Sequence, residues 1–141
     1  MSTDNPVATV PHTNEVVVRR FFELMDSHQF DELTSVLAPD LRFHLGSATM
    51  TRDDVVSWVR LVYTAFPDLQ HHVEELLSVG SRVVARAIDR ATHRGEFQGI
   101  APTGRTVTIG QIAIYELRDG EIAEAWEQAD FAGLMAQLTA S

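Results

Sequence analysis

Cysteine is absent from all 141 residues, which excludes disulfides, thiolate nucleophiles and most zinc sites. Positive charge is scarce: 11 Lys and Arg stand against 20 Asp and Glu, for a formal net charge of −9. The basic residues are interspersed with acids, so a phosphate backbone would be repelled and nucleic acid is excluded as a partner. No apolar run is long enough to span a membrane, and the first residues lack the basic start and apolar stretch of a signal peptide. The expectation is a cytoplasmic protein with no membrane association. Internal repeats and low-complexity segments are missing too. Gly95, Gly99 and Gly104 lie between predicted strands and not before a helix, so they form no phosphate cradle. His71 and His72 are adjacent on a predicted strand and point to opposite faces, which prevents them from jointly holding a metal on one face. No other His, Asp or Glu spacing resembles a metal site, and no cofactor is expected.

What is present fits one globular domain. The chain is 45% hydrophobic and 22% charged, long enough to bury a core without staples. Residues 1–12 read as a flexible tail and residues 13–139 as the domain. Thr13 or Asn14 can cap a first helix whose apolar stripe is Val17, Val18, Phe21, Leu24 and Met25. A short second helix carries Phe30, Leu33 and Leu37 and stops at Pro39, after which residues 41–45 alternate as a strand. Thr51 and Asp54 have capping-box spacing and open a third helix through Val55, Val59, Val62 and Phe66.

The second half reads as four strands, over residues 69–79, 82–93, 106–117 and 121–129, then a helix from Phe131 to Leu138 with Asp130 at its N-cap. Helices first and long antiparallel strands afterwards predict an α+β domain with its helices gathered on one side of the sheet.

Residues 92–105, running Thr-His-Arg-Gly-Glu-Phe-Gln-Gly-Ile-Ala-Pro-Thr-Gly-Arg, resemble the SnoaL-like polyketide cyclase family of the nuclear-transport-factor-2-like superfamily. Asp119-Gly120-Glu121-Ile122, Trp126 and the run Asp130 to Leu134 are similar to the family's C-terminal pattern; Val18-Arg19-Arg20 and Ala38-Pro39-Asp40 match its first half. The resemblance covers nearly the whole chain. It implies a cone: a strongly curved mixed or antiparallel sheet wrapped around the N-terminal helices, enclosing a deep pocket, commonly with a homodimer on the outer sheet face. It further implies, by alignment on the Asp119-Gly120 turn, that the family's acid/base carboxylate falls on Glu127, an Asp-to-Glu departure, and a pocket glutamine on Gln111. Two pocket histidines of the family fall on Ala113 and Ala125, and a pocket asparagine on Phe43.

The residues themselves bear on the last hairpin. A three-residue loop at Arg118-Asp119-Gly120 pairs Leu117 with Glu121 and Gln111 with Glu127; a two-residue turn at Asp119-Gly120 sets Gln111 against Gln128. The first is the register that the family alignment favours. It gathers Gln111, Ala113, Ala123, Ala125, Glu127 and Ala129 on one face, and Ile112, Ile114, Ile122 and Trp126 on the other. The small face leaves space beside one carboxylate and one amide, the requirement of a cofactorless acid/base site. The bulky face reads as a homodimer surface.

Glu127, Gln111 and His93 are the candidate catalytic residues. Each has a plainer role open to it: a solvated strand glutamate, a glutamine bonded to backbone, a histidine tying the glycine loop to the sheet. Asp130 has a ready task as a helix cap. Arg86 and Asp89 alternate to opposite faces and do not by themselves make the Asp-Arg-Asp set of epoxide-opening relatives. Phe21, Met25, Phe43, Trp58, Phe66 and Phe97, with Ala113 and Ala125, are the candidate walls for a hydrophobic small-molecule ligand. The expected activity is a cofactor-free cyclase or isomerase working on a polyketide-like substrate by aldol-type ring closure. The alternatives are a hydrolase or dehydratase activating water with the same carboxylate, or a ligand-binding protein that performs no chemistry.

Overall fold

Thr51 and Asp54 form their capping box: the Thr51 hydroxyl accepts from the Asp54 N–H at 3.2 Å and the Asp54 carboxylate from the Thr51 N–H at 3.0 Å. That box starts α2, Arg52–Ala65, and Val55, Val59, Tyr63 and Ala65 bury its inner stripe. The computed structural model describes the backbone of residues 4–140 and the side chains of residues 13–140. Within these limits α1 spans Asp4–Asp26. It begins ahead of Thr13 and Asn14, so neither residue starts it; it continues through Pro11, which removes one backbone bond without ending it. Residues 1–3 of the expected tail lie outside the described residues.

The order then runs through a 3₁₀ turn at Phe30–Ser35, β1 (Leu37–Leu45), β2 (Ala48–Met50), α2, β3 (Gln70–Val79), β4 (Arg82–Thr92), β5 (Thr106–Arg118), β6 (Glu121–Ala129) and α3 (Phe131–Thr139). The second helix is therefore a 3₁₀ turn, and Leu37 already belongs to a strand. Pro39 does not block that strand, because the pairing of β1 with β6 is interrupted between Leu37 and Arg42, where no proline donor is required.

The six strands form one curved, unclosed sheet in the order β2-β1-β6-β5-β4-β3. β1 and β6 run parallel and every other neighbouring pair is antiparallel. Irregular pairing in β1, β3 and β6 adds local bend and twist. The helices lie against the concave face, where Val18, Phe21, Phe22, Leu33, Leu37, Phe66, Tyr115, Ile122 and Leu134 are almost wholly buried.

The last hairpin departs from both expected registers. Asp119 and Gly120 have φ of 53° and 77°, the signs of a two-residue type I′ turn, and Arg118 pairs with Glu121. One residue further in, Leu117 meets Ile122 but Glu116 meets Glu124, so Ala123 is an extra residue in β6. Gln111 consequently lies opposite Ala129, and Glu127 opposite Ala113. The displacement from the first register is two residues, an even number, so Gln111 and Glu127 still share the inner face and Trp126 the outer one. Ile122 is corrected: it lies on the near side of the bulge, turns inward beside Leu117 and is fully buried.

Candidate active site

Asp26 stands one helical turn after Phe22, on the stripe of α1 that faces the sheet. Its carboxylate accepts from the Tyr63 hydroxyl at 2.7 Å, from the His71 backbone N–H at 2.9 Å and from His71 Nδ1 at 2.7 Å. Burial works against the Asp26 charge, but the bonds from His71 and Tyr63 and the imidazolium prevail, and the carboxyl titrates below its ordinary range. The His71 ring packs on Phe22 at a centroid distance of 4.8 Å. Burial disfavours the imidazolium as well; the bond to Asp26 and the charges of Asp89, Asp26 and Glu127 outweigh it, and the His71 pKa rises.

Past the ring, Nε2 lies 3.8 Å from Asp89 Oδ1. β4 sends Val83, Ala85, Ala87, Asp89 and Ala91 inward, so Asp89 is a carboxylate in a row of small apolar residues. Gln111 Nε2 donates to both its oxygens, at 3.0 and 2.9 Å. Burial still governs, and the Asp89 pKa rises in spite of His71 and Gln111. Glu127 completes the set from β6. It is half-buried where it lines the cavity; burial drives its pKa up to about 7, opposed by His71 and reinforced by Asp89.

These groups meet at a cavity of about 100 Å³, where His71, Asp89, Gln111 and Glu127 supply polar surface among Phe21, Met25, Phe43, Trp58, Phe66 and Phe97. Leu45, Met50, Trp58, Phe97 and Phe131 also border a wider depression of about 600 Å³. Gly95 positions this rim: its N–H donates to the Ala65 carbonyl at 3.0 Å, and a Cβ there would come within 2.6 Å of the Thr64 carbonyl oxygen. The loop thereby drops Phe97 against Phe66, with centroids 5.2 Å apart.

The structure brings Glu127 and Gln111 to one cavity and leaves His93 elsewhere. His93 Nδ1 accepts from the Thr103 N–H at 3.1 Å, its backbone bonds Arg105 and Gly104, and its ring packs on Phe66. It fastens the 94–105 loop to the sheet and is absent from the cavity wall. Ala113 and Ala125 are buried on the inner face without lining the cavity. The sequence reading passed over His71, Asp89, Asp26 and Tyr63 as site residues. The available signal was parity: Asp89 is the one charged residue in step with Ala85, Ala87 and Ala91, and Asp26 follows Phe22 by four. Among the described residues no group of three or more His, Asp or Glu is arranged to hold a metal, and no helix is long and apolar enough to cross a membrane.

A family model described as SnoaL-like polyketide cyclase matches residues 15–138. Among solved structures, IdmH of Streptomyces antibioticus, a candidate polyketide cyclase, is 28% identical over 89% of this chain and 97% of its own, with a TM-score of 0.80. AclR of Streptomyces galilaeus, a candidate hydroxylase, is 24% identical over 91% of this chain and 96% of its own, with a TM-score of 0.84. A candidate SnoaL-like polyketide cyclase from Jannaschia sp. CCS1 is 21% identical over 94% and 95%, with a TM-score of 0.86. No curated protein matches the chain in sequence.

Proposed function

Since the chain belongs to the SnoaL-like polyketide cyclase family, we propose that it is a cyclase that closes a ring in a hydrophobic polyketide-like substrate, with Glu127 as the acid/base. The observation that carries this reading is a half-buried glutamate lining an aromatic-walled cavity, where burial lifts its pKa to about 7. Near neutral pH such a group is populated both as carboxylate and as acid, the condition for taking and returning one proton efficiently. The carboxylate would remove a proton from a carbon between two carbonyls, leaving the C–H electron pair in an enolate. The enolate carbon would attack a second carbonyl in the folded chain, and the resulting alkoxide would recover the proton from Glu127. The balance is an isomerisation, with no redox step and no cofactor required by the reading. The His71 ring faces the same space and would orient a carbonyl oxygen through Nε2, while Gln111, whose Nε2 donates to both Asp89 oxygens, would hold that carboxylate in place. Trp58, Phe66 and Phe97 favour an apolar, flat substrate.

The test is a product assay on an aryl diketone whose chain can close a six-membered ring, followed by mass spectrometry. Ring closure leaves the mass unchanged; a dehydratase removes one water and a hydrolase adds one. Glu127→Gln should lower turnover by about a hundredfold or more while leaving binding of the diketone near its original strength. Turnover at the wild-type rate in that variant would remove the carboxylate from the mechanism.

A further inference from the structure

His71 belongs to two surfaces at once. On one side it lines the cavity with Asp89, Gln111 and Glu127. On the other it borders a separate depression of about 400 Å³ at the seam between α1 and the edge strand β3, together with Arg19, Glu23, Asp26 and His72. Asp26 borders the depression and is absent from the cavity wall, whereas Asp89 is the reverse. The ring therefore spans the partition, Nδ1 to the outside carboxylate at 2.7 Å and Nε2 toward the inside one at 3.8 Å. The side chains are 15% exposed at Asp26, 8% at His71 and 11% at Asp89, so the outer member has the most water and the ring the least.

We propose that the Asp26–His71 pair is a proton passage through the cavity wall, connecting the carboxylates of Asp89 and Glu127 with solvent at the α1–β3 seam. It rests on the acid/base reading of Glu127 and adds a route by which that group exchanges its proton while substrate occupies the cavity and its aromatic rim. A proton arriving at Nε2 from Asp89 makes the ring an imidazolium; the Nδ1 proton then passes to Asp26 and on to water. The reverse movement returns a proton and restores the first tautomer. No bond between heavy atoms changes, and Nε2 and Asp89 need approach by less than about 1 Å to reach hydrogen-bond distance. The groups that face the passage are Arg19, Glu23 and Asp26 from α1, Tyr63 from α2 through Asp26, His72 and Glu74 from β3, Asp89 from β4, Gln111 from β5 and Glu127 from β6. Tyr63 donates to Asp26 and so holds the outer carboxylate against the ring.

The test uses a β,γ-unsaturated cyclohexenone in deuterium oxide, which isomerises to the conjugated ketone when one base moves a proton from the α to the γ carbon. Wild type should put solvent deuterium at the γ carbon, because Glu127 exchanges its proton between the two steps. His71→Asn should return the substrate's own hydrogen in whatever product it forms, cutting the deuterium content per turnover several-fold irrespective of its rate. Asp26→Asn is the second variant and should shift the partition in the same direction. Equal deuterium content in wild type and both variants would overturn the passage. Glu127→Gln separates the two readings, since isomerisation persisting there sinks the acid/base role whatever the label shows. An arm that needs no turnover is nitrogen NMR of the His71 ring, which should change protonation state as pH is varied; a ring that keeps one state from about pH 5 to 10 would also overturn the proposal.

Discussion

On the outer face of the sheet Glu75 meets Arg86 and Glu116 meets Arg82, each at 2.8 Å, with 29% to 54% of every side chain in water. On the inner side Asp26 meets His71 at 2.7 Å with 15% and 8% exposed. The separations are nearly equal, yet the surroundings give them different work. Water screens the outer pairs and competes for their hydrogen bonds, so each contributes little to stability. Inside, desolvation is the largest influence on every carboxylate and on the imidazole, and it leaves Asp89 and Glu127 reluctant to ionise. Two carboxyl groups and one histidine at one cavity are thus tuned by one another against desolvation, whereas on the convex face Glu116 is held below its ordinary range mainly by direct bonds from Ser81 and Arg82.

The contrast should be largest in the pH dependence of stability. Glu127 in the unfolded chain ionises near 4.5, but in the fold only near 7. Between these values the folded state holds the extra proton, so the native state loses stability as pH rises through the window. The raised His71 adds in the same direction, because stability from its partners is present below the unfolded histidine pKa and lost as pH passes the folded one. Glu127→Gln should therefore be stabilising at pH 8, by about 2 to 3 kcal/mol, and nearly neutral at pH 5; urea melts of both proteins at the two values check it. Asp26 works oppositely, its contribution being lost only as pH falls through its lowered pKa.

A smaller effect concerns the apolar part of the outer face. Ile112 is 53% exposed, and Ile114 and Trp126 follow it along the same side. We propose that a second copy of the chain covers this stripe. Ile112→Lys should weaken self-association by about tenfold or more, read by light scattering across a concentration series, whereas a monomeric wild type at micromolar concentration would end that idea. Smallest of all should be Glu75→Gln. Breaking its pair with Arg86 should change the unfolding free energy by no more than about 0.5 kcal/mol, and a loss of several kcal/mol would break the comparison between the faces.

The fold was legible where local rules act alone. The Thr51 box, the cap that Asp130 provides to the Gly133 N–H at 2.9 Å, and the alternation of β4 and β5 all follow from neighbours in the chain. The register of the last hairpin was not, because Ala123 becomes an extra residue only where Ile122 can bury beside Leu117 and donate its N–H to the Val36 carbonyl at 2.8 Å. A bulge depends on partners that arrive from elsewhere. The face of Glu127 and Gln111 was readable nonetheless, since a shift of two residues preserves the side on which a strand residue points.

By itself the sequence determined the α+β class, the element order from α2 onward and which strand residues share a face, since helical and strand periodicities and capping spacings are local properties. It also excluded thiol chemistry through the lack of cysteine. Only the tertiary structure decided that Asp26 from α1, Tyr63 from α2, His71 from β3 and Asp89 from β4 converge with Glu127, and that His93 is a loop fastener. Their sequence separation reaches across most of the chain, and the parity that puts Asp89 and Asp26 on inner faces does not say which groups they meet there. The raised pKa of Glu127 is likewise a tertiary property, because it is set by water excluded when the sheet curls over the helices.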